Sequence, residues 1–116
     1  MSLPQYFKEE RPWGYYERFA ANEACTVKLL ILKPNQRLSL QRHKGRKEFW
    51  RVVCGNGVAT INGTEIPLTV GEEVTVEIGD AHRFAAGNDG ATVLELMFGH
   101  YDEEDDERLE DDYGRV

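Results

Sequence analysis

The sequence predicts an all-β domain, a sandwich or barrel of short antiparallel strands with irregular ends. Three observations predict it. Short runs rich in β-branched and aromatic residues recur along the chain, and Gly, Asn and Pro stand between them. Before residue 100 no long stretch repeats at the helical period of 3.6 residues. Strands punctuated this often close most readily into two packed sheets or a barrel.

The elements follow in order. Val27 to Leu32 is apolar and ends at Lys33-Pro34-Asn35, where proline fixes φ for a turn. Arg37 to His43 alternates in character and meets the polar turn Lys44-Gly45-Arg46-Lys47. Phe49 to Cys54 is dense in β-formers and is expected to stop at Gly55-Asn56-Gly57. Val58 to Ile61 and Thr64 to Ile66 flank Asn62-Gly63, a strong hairpin signal. Pro67 and Gly71 precede Glu73 to Ile78, and Gly79-Asp80 turns the chain into His82 to Ala86. A further turn, Gly87-Asn88-Asp89-Gly90, is expected before the last strand, Ala91 to Phe98. Trp13 and Trp50 read as packing residues.

The chain of 116 residues is 41% hydrophobic, enough for one domain with a core. Its net charge of −7 argues against nucleic acid, yet the charge is uneven. Residues 102 to 112 hold nine acids and the single base Arg108, which leaves 13 basic and 12 acidic residues elsewhere. The body is thus near neutral and the acidity belongs to the tail. No apolar run reaches membrane-span length, so no membrane partner is expected. Met1-Ser2-Leu3-Pro4-Gln5 lacks the regions of a signal peptide, and Cys25 and Cys54 form no CxxC pair, so a cytoplasmic location is expected.

One constellation carries chemistry. Gln41 and His43 are two apart and share a face on a strand, Glu48 lies across the polar turn, and His82 sits on a later strand. An amide oxygen, two imidazoles and a carboxylate make a ligand set for a divalent metal, zinc first, with Mn, Fe or Co as alternatives. The other reading is a metal-free site, with His82 bonded to backbone and Glu48 paired to Arg46 or Lys47. Arg37, Arg42, Lys44, Arg46, Lys47 and Arg51 cluster about the turn. Such a basic rim suits a small anion such as a phosphate.

The spacing resembles the cupin motifs. Asn35, five residues, Gln41-x-His43, four residues, Glu48, six residues and Gly55 resemble the first. Asn35 stands for its glycine and Gln41 for its first histidine. Gly71, five residues, Glu77-x-Gly79, two residues and His82 resemble the second. The resemblance implies a cupin double-stranded β-helix, a jelly-roll barrel, with an acidic C-terminal segment. Arg11-Pro12-Trp13-Gly14, Arg46-x-Glu48-x-Trp50 and Glu104-Asp105-Asp106-x-Arg108-x-Glu110-Asp111-x-Tyr113-Gly114-Arg115 further resemble the type II mannose-6-phosphate isomerase cupin. In bacteria that domain commonly ends bifunctional isomerase/guanylyltransferases. No nucleotidyltransferase domain precedes the match, so guanylyl transfer is not expected of these residues.

The resemblance implies an N-terminal extension over 1–10, and a single cupin domain over 11–116 that packs its acidic tail through Leu109 and Tyr113. It implies a mannose-6-phosphate isomerase-like activity, aldose–ketose isomerisation of a phosphorylated hexose, in nucleotide-sugar and polysaccharide precursor supply. Gln41, His43, Glu48 and His82 would hold the metal, Arg37, Lys44 and Arg46 the sugar phosphate, and Lys28 or Glu95 would carry the proton. The family usually has histidines where this chain has Gly45 and Phe49. That loss motivates the alternative of a non-catalytic sugar- or sugar-phosphate-binding cupin. A homodimer is expected by analogy of fold.

Overall fold

The computed structural model describes residues 3–100 and 102–115. Nine strands carry the chain: β1 (Phe7–Arg11), β2 (Gly14–Arg18), β3 (Cys25–Leu32), β4 (Leu40–Arg42), β5 (Arg46–Ile61), β6 (Thr64–Leu68), β7 (Glu73–Val76), β8 (His82–Gly99) and β9 (Glu107–Glu110). A 3₁₀ turn, Glu103–Asp105, precedes β9. Strands β1 and β2 form a hairpin of their own, and the other seven form one sheet that folds into two layers.

Two long strands organise that sheet. The first half of β5 pairs with β7 and with the second half of β8, which also carries β3. The second half of β5 pairs with β6 and with the first half of β8, which carries β4 and through it β9. Each long strand therefore belongs to both layers, β7-β5-β8-β3 and β6-β5-β8-β4-β9. This is a jelly-roll barrel, as the spacing predicts.

Gly55–Gly57 and Gly87–Gly90, expected as turns, are instead bends inside β5 and β8. The register shifts between Val52 and Cys54 and again between Gly55 and Gly57, where the strands pass from one layer to the other. At Gly55 (φ +75°) a Cβ would lie 2.2 Å from the Gly90 carbonyl oxygen, and at Gly57 one would lie 2.3 Å from that of Ala85. Only glycine lets the two backbones come this close. The Asn62-Gly63 hairpin forms as expected, with both residues at positive φ and Ile61 opposite Thr64.

Strand alternation sorts the side chains. On the inner face lie Trp50, Val52, Ala59, Leu68, Val76, Phe84 and Val93, the buried core. The outer face of β5 and β8 presents Phe49, Leu96 and Phe98, which the N-terminal segment covers with Leu3, Tyr6 and Phe19. The β1–β2 hairpin was not signalled by alternation, and its first strand crosses residue 10, the expected limit of the extension. Trp13, read as a packing residue, is exposed at the hairpin tip, whereas Trp50 is wholly buried. The tail is packed: Leu109 is 37% exposed, and the half-exposed Tyr113 lies 3.0 Å through its hydroxyl from the Arg37 carbonyl and the Gln36 side chain. Charge holds it, through Arg42–Glu107, Arg83–Glu110 and Arg37–Asp112, together with the pairing of β9 to β4. Cys25 and Cys54 are both free thiols. Among the described residues no helix is long and apolar enough to cross a membrane.

Candidate functional site

His82 opens β8 after the Gly79-Asp80 turn, which is built to hold it. The Glu77 amide donates to the Asp80 carboxylate at 3.0 Å, and the Asn62 side-chain amide donates to it at 2.9 Å. The Gly79 amide donates to the His43 carbonyl at 2.9 Å, which ties this turn to the end of β4. His82 Nδ1 lies 2.8 Å from the Asp80 carbonyl oxygen. A carbonyl only accepts, so Nδ1 carries the proton, and burial lowers the His82 pKa and keeps the ring neutral. The lone pair of Nε2 is therefore left pointing into the barrel, buried and without a partner.

His43 and Glu48 complete the cluster. His43 Nε2 is 2.7 Å from Glu48 Oε1, and His82 Nε2 is 3.8 Å from Glu48 Oε2, itself buried and unpartnered. One ligand atom from each of the three residues lies within 4.8 Å of the others, and all three residues are buried. Such a set could hold a divalent metal: two imidazoles and a carboxylate with two orphaned lone pairs suit zinc or a first-row transition ion. Gln41 faces His82 across the β4–β8 pair, so both side chains leave the sheet on one side. Its amide oxygen accepts from Ser39 Oγ at 3.2 Å.

Behind the triad stands a carboxyl pair. Lys28, Glu95 and Trp50 are register partners, so all three face inward. Trp50 Nε1 donates to Glu95 Oε2 at 2.8 Å. Burial, then the neighbouring Glu48, pushes Glu95 up to about 8, so it is mostly protonated near neutrality. Burial also works against ionisation of Glu48, but hydrogen bonds from His43 and Glu95 and the nearby imidazoles outweigh it and hold Glu48 at about 2. One proton shared unequally between two carboxyls leaves the charge on the one beside the histidines.

The basic residues are placed differently from one another. Arg46 is buried in the site, with Nε 3.4 Å from Glu48 Oε1 and Nη2 3.4 Å from His43 Nε2. Its outer side meets Asp106 at 2.8 Å and the Asp102 carbonyl at 3.2 Å. Asp106 also lies 2.8 Å from His43 Nδ1, so the tail covers that side of the triad. Lys44 is exposed, and its backbone amide and that of Gly45 donate to the Asp105 carboxylate at 3.1 and 2.8 Å. Arg37 donates through Nε and Nη2 to the two Asp112 oxygens and lines a groove of about 350 Å³ with Leu38, Tyr113 and Arg115, apart from the triad. Sequence reasoning missed Asp105, Asp106 and Trp50 as site residues. The signal for the first two was the match between nine tail acids and the basic cluster.

With this geometry in hand, comparison with known proteins is decisive for the family. A family model described as mannose-6-phosphate isomerase C-terminal matches residues 3–111. The chain belongs to this family. The mannose-6-phosphate isomerase C-terminal family includes parts of longer curated proteins. The chain is 41% identical over 108 residues to the mannose-1-phosphate guanylyltransferase ManC of Salmonella typhimurium, covering 91% of this chain and 22% of that protein. It is 40% identical to the alginate biosynthesis protein AlgA of Pseudomonas aeruginosa, with the same coverage. It is 38% identical to the xanthan biosynthesis protein XanB of Xanthomonas campestris, covering 94% of this chain and 24% of that one. The chain thus spans less than a quarter of the length of these relatives.

Among solved structures, the chain superposes on the 3′-monoepimerase ChmJ from Streptomyces bikiniensis with a TM-score of 0.70 at 12% identity, over 90% of this chain and 66% of that one. It matches a predicted oxalate decarboxylase from Thermotoga maritima at 0.61 and 24% identity, over 64% and 65%. These likenesses show the fold, a cupin barrel. The expected aldose–ketose isomerisation is corrected by the curated relatives. They are named for guanylyl transfer and for alginate and xanthan biosynthesis, and none of these names supports an isomerase activity.

Proposed function

We propose that the chain is a metal-holding cupin unit of polysaccharide-precursor biosynthesis that binds a sugar phosphate. The observation that carries the metal is the pair of orphaned, buried lone pairs on His82 Nε2 and Glu48 Oε2 beside His43. A buried polar atom without a partner is costly, and a shared cation would satisfy both at once. When bound, the metal would act as a Lewis acid toward a ligand oxygen. His43, Glu48 and His82 would hold it, with Gln41 beside His82 as a fourth donor. Zinc suits the donor set, and Mn, Fe or Co would use the same residues.

The sugar phosphate is supported by the relatives, whose names place them in mannose 1-phosphate and alginate or xanthan chemistry. Elemental analysis of the purified protein should find about one equivalent of a transition metal, lost in His82→Ala. Calorimetric titration with mannose 1-phosphate and mannose 6-phosphate should show binding stronger than with mannose. Protein without metal under every loading condition, or equal affinity for mannose and its phosphates, would overturn the reading.

A further inference from the structure

Strand β3 leaves one side of its layer open. Among the described residues it pairs with β8 alone, so the backbone groups along its other edge have no strand to meet. Its eight residues hold an unbroken register, with no proline and no bulge to deter a further strand. Alternation sends Leu30 and Leu32 toward the core and leaves Val27, Leu29 and Ile31 on the outer face, 59%, 60% and 77% exposed. Just beyond its ends stand two opposite charges, Glu23 before the strand and Lys33 after it. Both are exposed, and neither forms an ion pair with another described residue.

We propose that two copies of the chain meet at this edge, β3 pairing antiparallel with β3 of the second copy about a two-fold axis at Leu29. The strand complements itself in that register. Val27 of each copy lies across from Ile31 of the other, and Leu29 faces its own counterpart, so the three exposed side chains cover one another in cross-strand pairs. A register centred one residue earlier would set Lys28 against Lys28, two like charges directly opposed. Antiparallel pairing also carries the Glu23 end of each copy to the Lys33 end of the other, which supplies the same charge complement twice by symmetry. Main-chain hydrogen bonds give the affinity, as in strand addition to any sheet edge, and the apolar stripe and end charges give the register. Both copies use the same surface, so assembly closes at two.

Analytical ultracentrifugation and hydrogen exchange of the full chain test this. The wild type should show a monomer–dimer equilibrium, with the β3 amides that β8 leaves unpaired protected at high concentration and exchanging freely on dilution. Leu29→Lys changes an exposed side chain, which spares the fold, and puts like charges on the two-fold axis; it should weaken the dimer about tenfold. Val70→Lys alters an equally exposed apolar residue off the strand and should assemble as the wild type does. Glu23→Lys should weaken the dimer about fivefold, and adding Lys33→Glu to it should restore the dimer. A wild type monomeric at every concentration, assembly that runs past two, a dimer untouched by Leu29→Lys or Glu23→Lys, equal weakening by Val70→Lys, or no recovery in the paired variant would each overturn the interface.

Discussion

Trp50 divides the barrel interior into two regions that meet burial in opposite ways. One edge of its indole meets Phe84 at 6.2 Å between centroids, within a core of Val52, Ala59, Leu68, Val76 and Val93. Another meets His82 at 5.5 Å, and its Nε1 donates to Glu95. The apolar region gains stability from area alone. The polar region, with Glu48, Glu95, His43 and His82 buried on the same framework, spends part of that gain on desolvation. Strand geometry is the same in both, so the difference lies in side-chain chemistry.

Substitutions can break this contrast, beginning with the apolar region. Phe84→Ala should lower the unfolding free energy by about 3–5 kcal/mol, read from urea unfolding, because the packed core cannot collapse into the void. Gly57→Ala should cost about 1–3 kcal/mol, since a Cβ would meet both the Ala85 carbonyl and the Phe84 ring. Trp50→Phe tests the boundary: it keeps most of the packing but removes the donor to Glu95, and should cost about 1–3 kcal/mol.

The polar region should show itself through pH. In the folded chain Glu95 keeps its proton up to about 8, against the ordinary 4.5. Between those values the folded state binds the extra proton, so this contribution to stability is full below 4.5 and fades as pH rises through 8. Glu95→Gln cannot titrate and should gain on the wild type across that window, in urea midpoints measured from pH ~5 to ~9. An unchanging difference would show that Glu95 carries no such proton. The smallest effect is expected at the tail, where Leu109→Ala should change stability by no more than about 0.5 kcal/mol.

Much of this was legible in the sequence, for definite reasons. The interval from His43 to Glu48 crosses one tight turn, so local spacing places both on one side of the barrel, and the Gly79-Asp80 turn announces His82. Asn62-Gly63 specifies its hairpin because both residues tolerate positive φ. The glycines at 55 and 90 were misread because a turn and a strand crossing ask for the same residue. What separates them is the Gly90 carbonyl packed against Gly55, a contact 35 positions away. The tail packs as expected, but its charged contacts are just as remote in sequence. Tyr113 does reach the barrel through its hydroxyl, but partners some 60 positions upstream, Arg42 for Glu107 and Arg46 for Asp106, add a hold by charge that local spacing does not reveal.

Strand β8 has one more consequence, for the order in which the barrel is made. It is the partner of β3, β4 and β5 alike, and it supplies His82, Phe84, Val93 and Glu95 to both regions of the interior. A growing chain that ends before residue 82 has β3 with no neighbour in the sheet and β5 paired on one edge only. Closing the barrel is therefore deferred until the last third of the chain has been made. Most of its contacts are distant in sequence, which places it among slow, cooperative folders. During synthesis Leu30, Leu32, Phe49 and Trp50, which the finished barrel packs into its two apolar clusters or against them, wait for that cover.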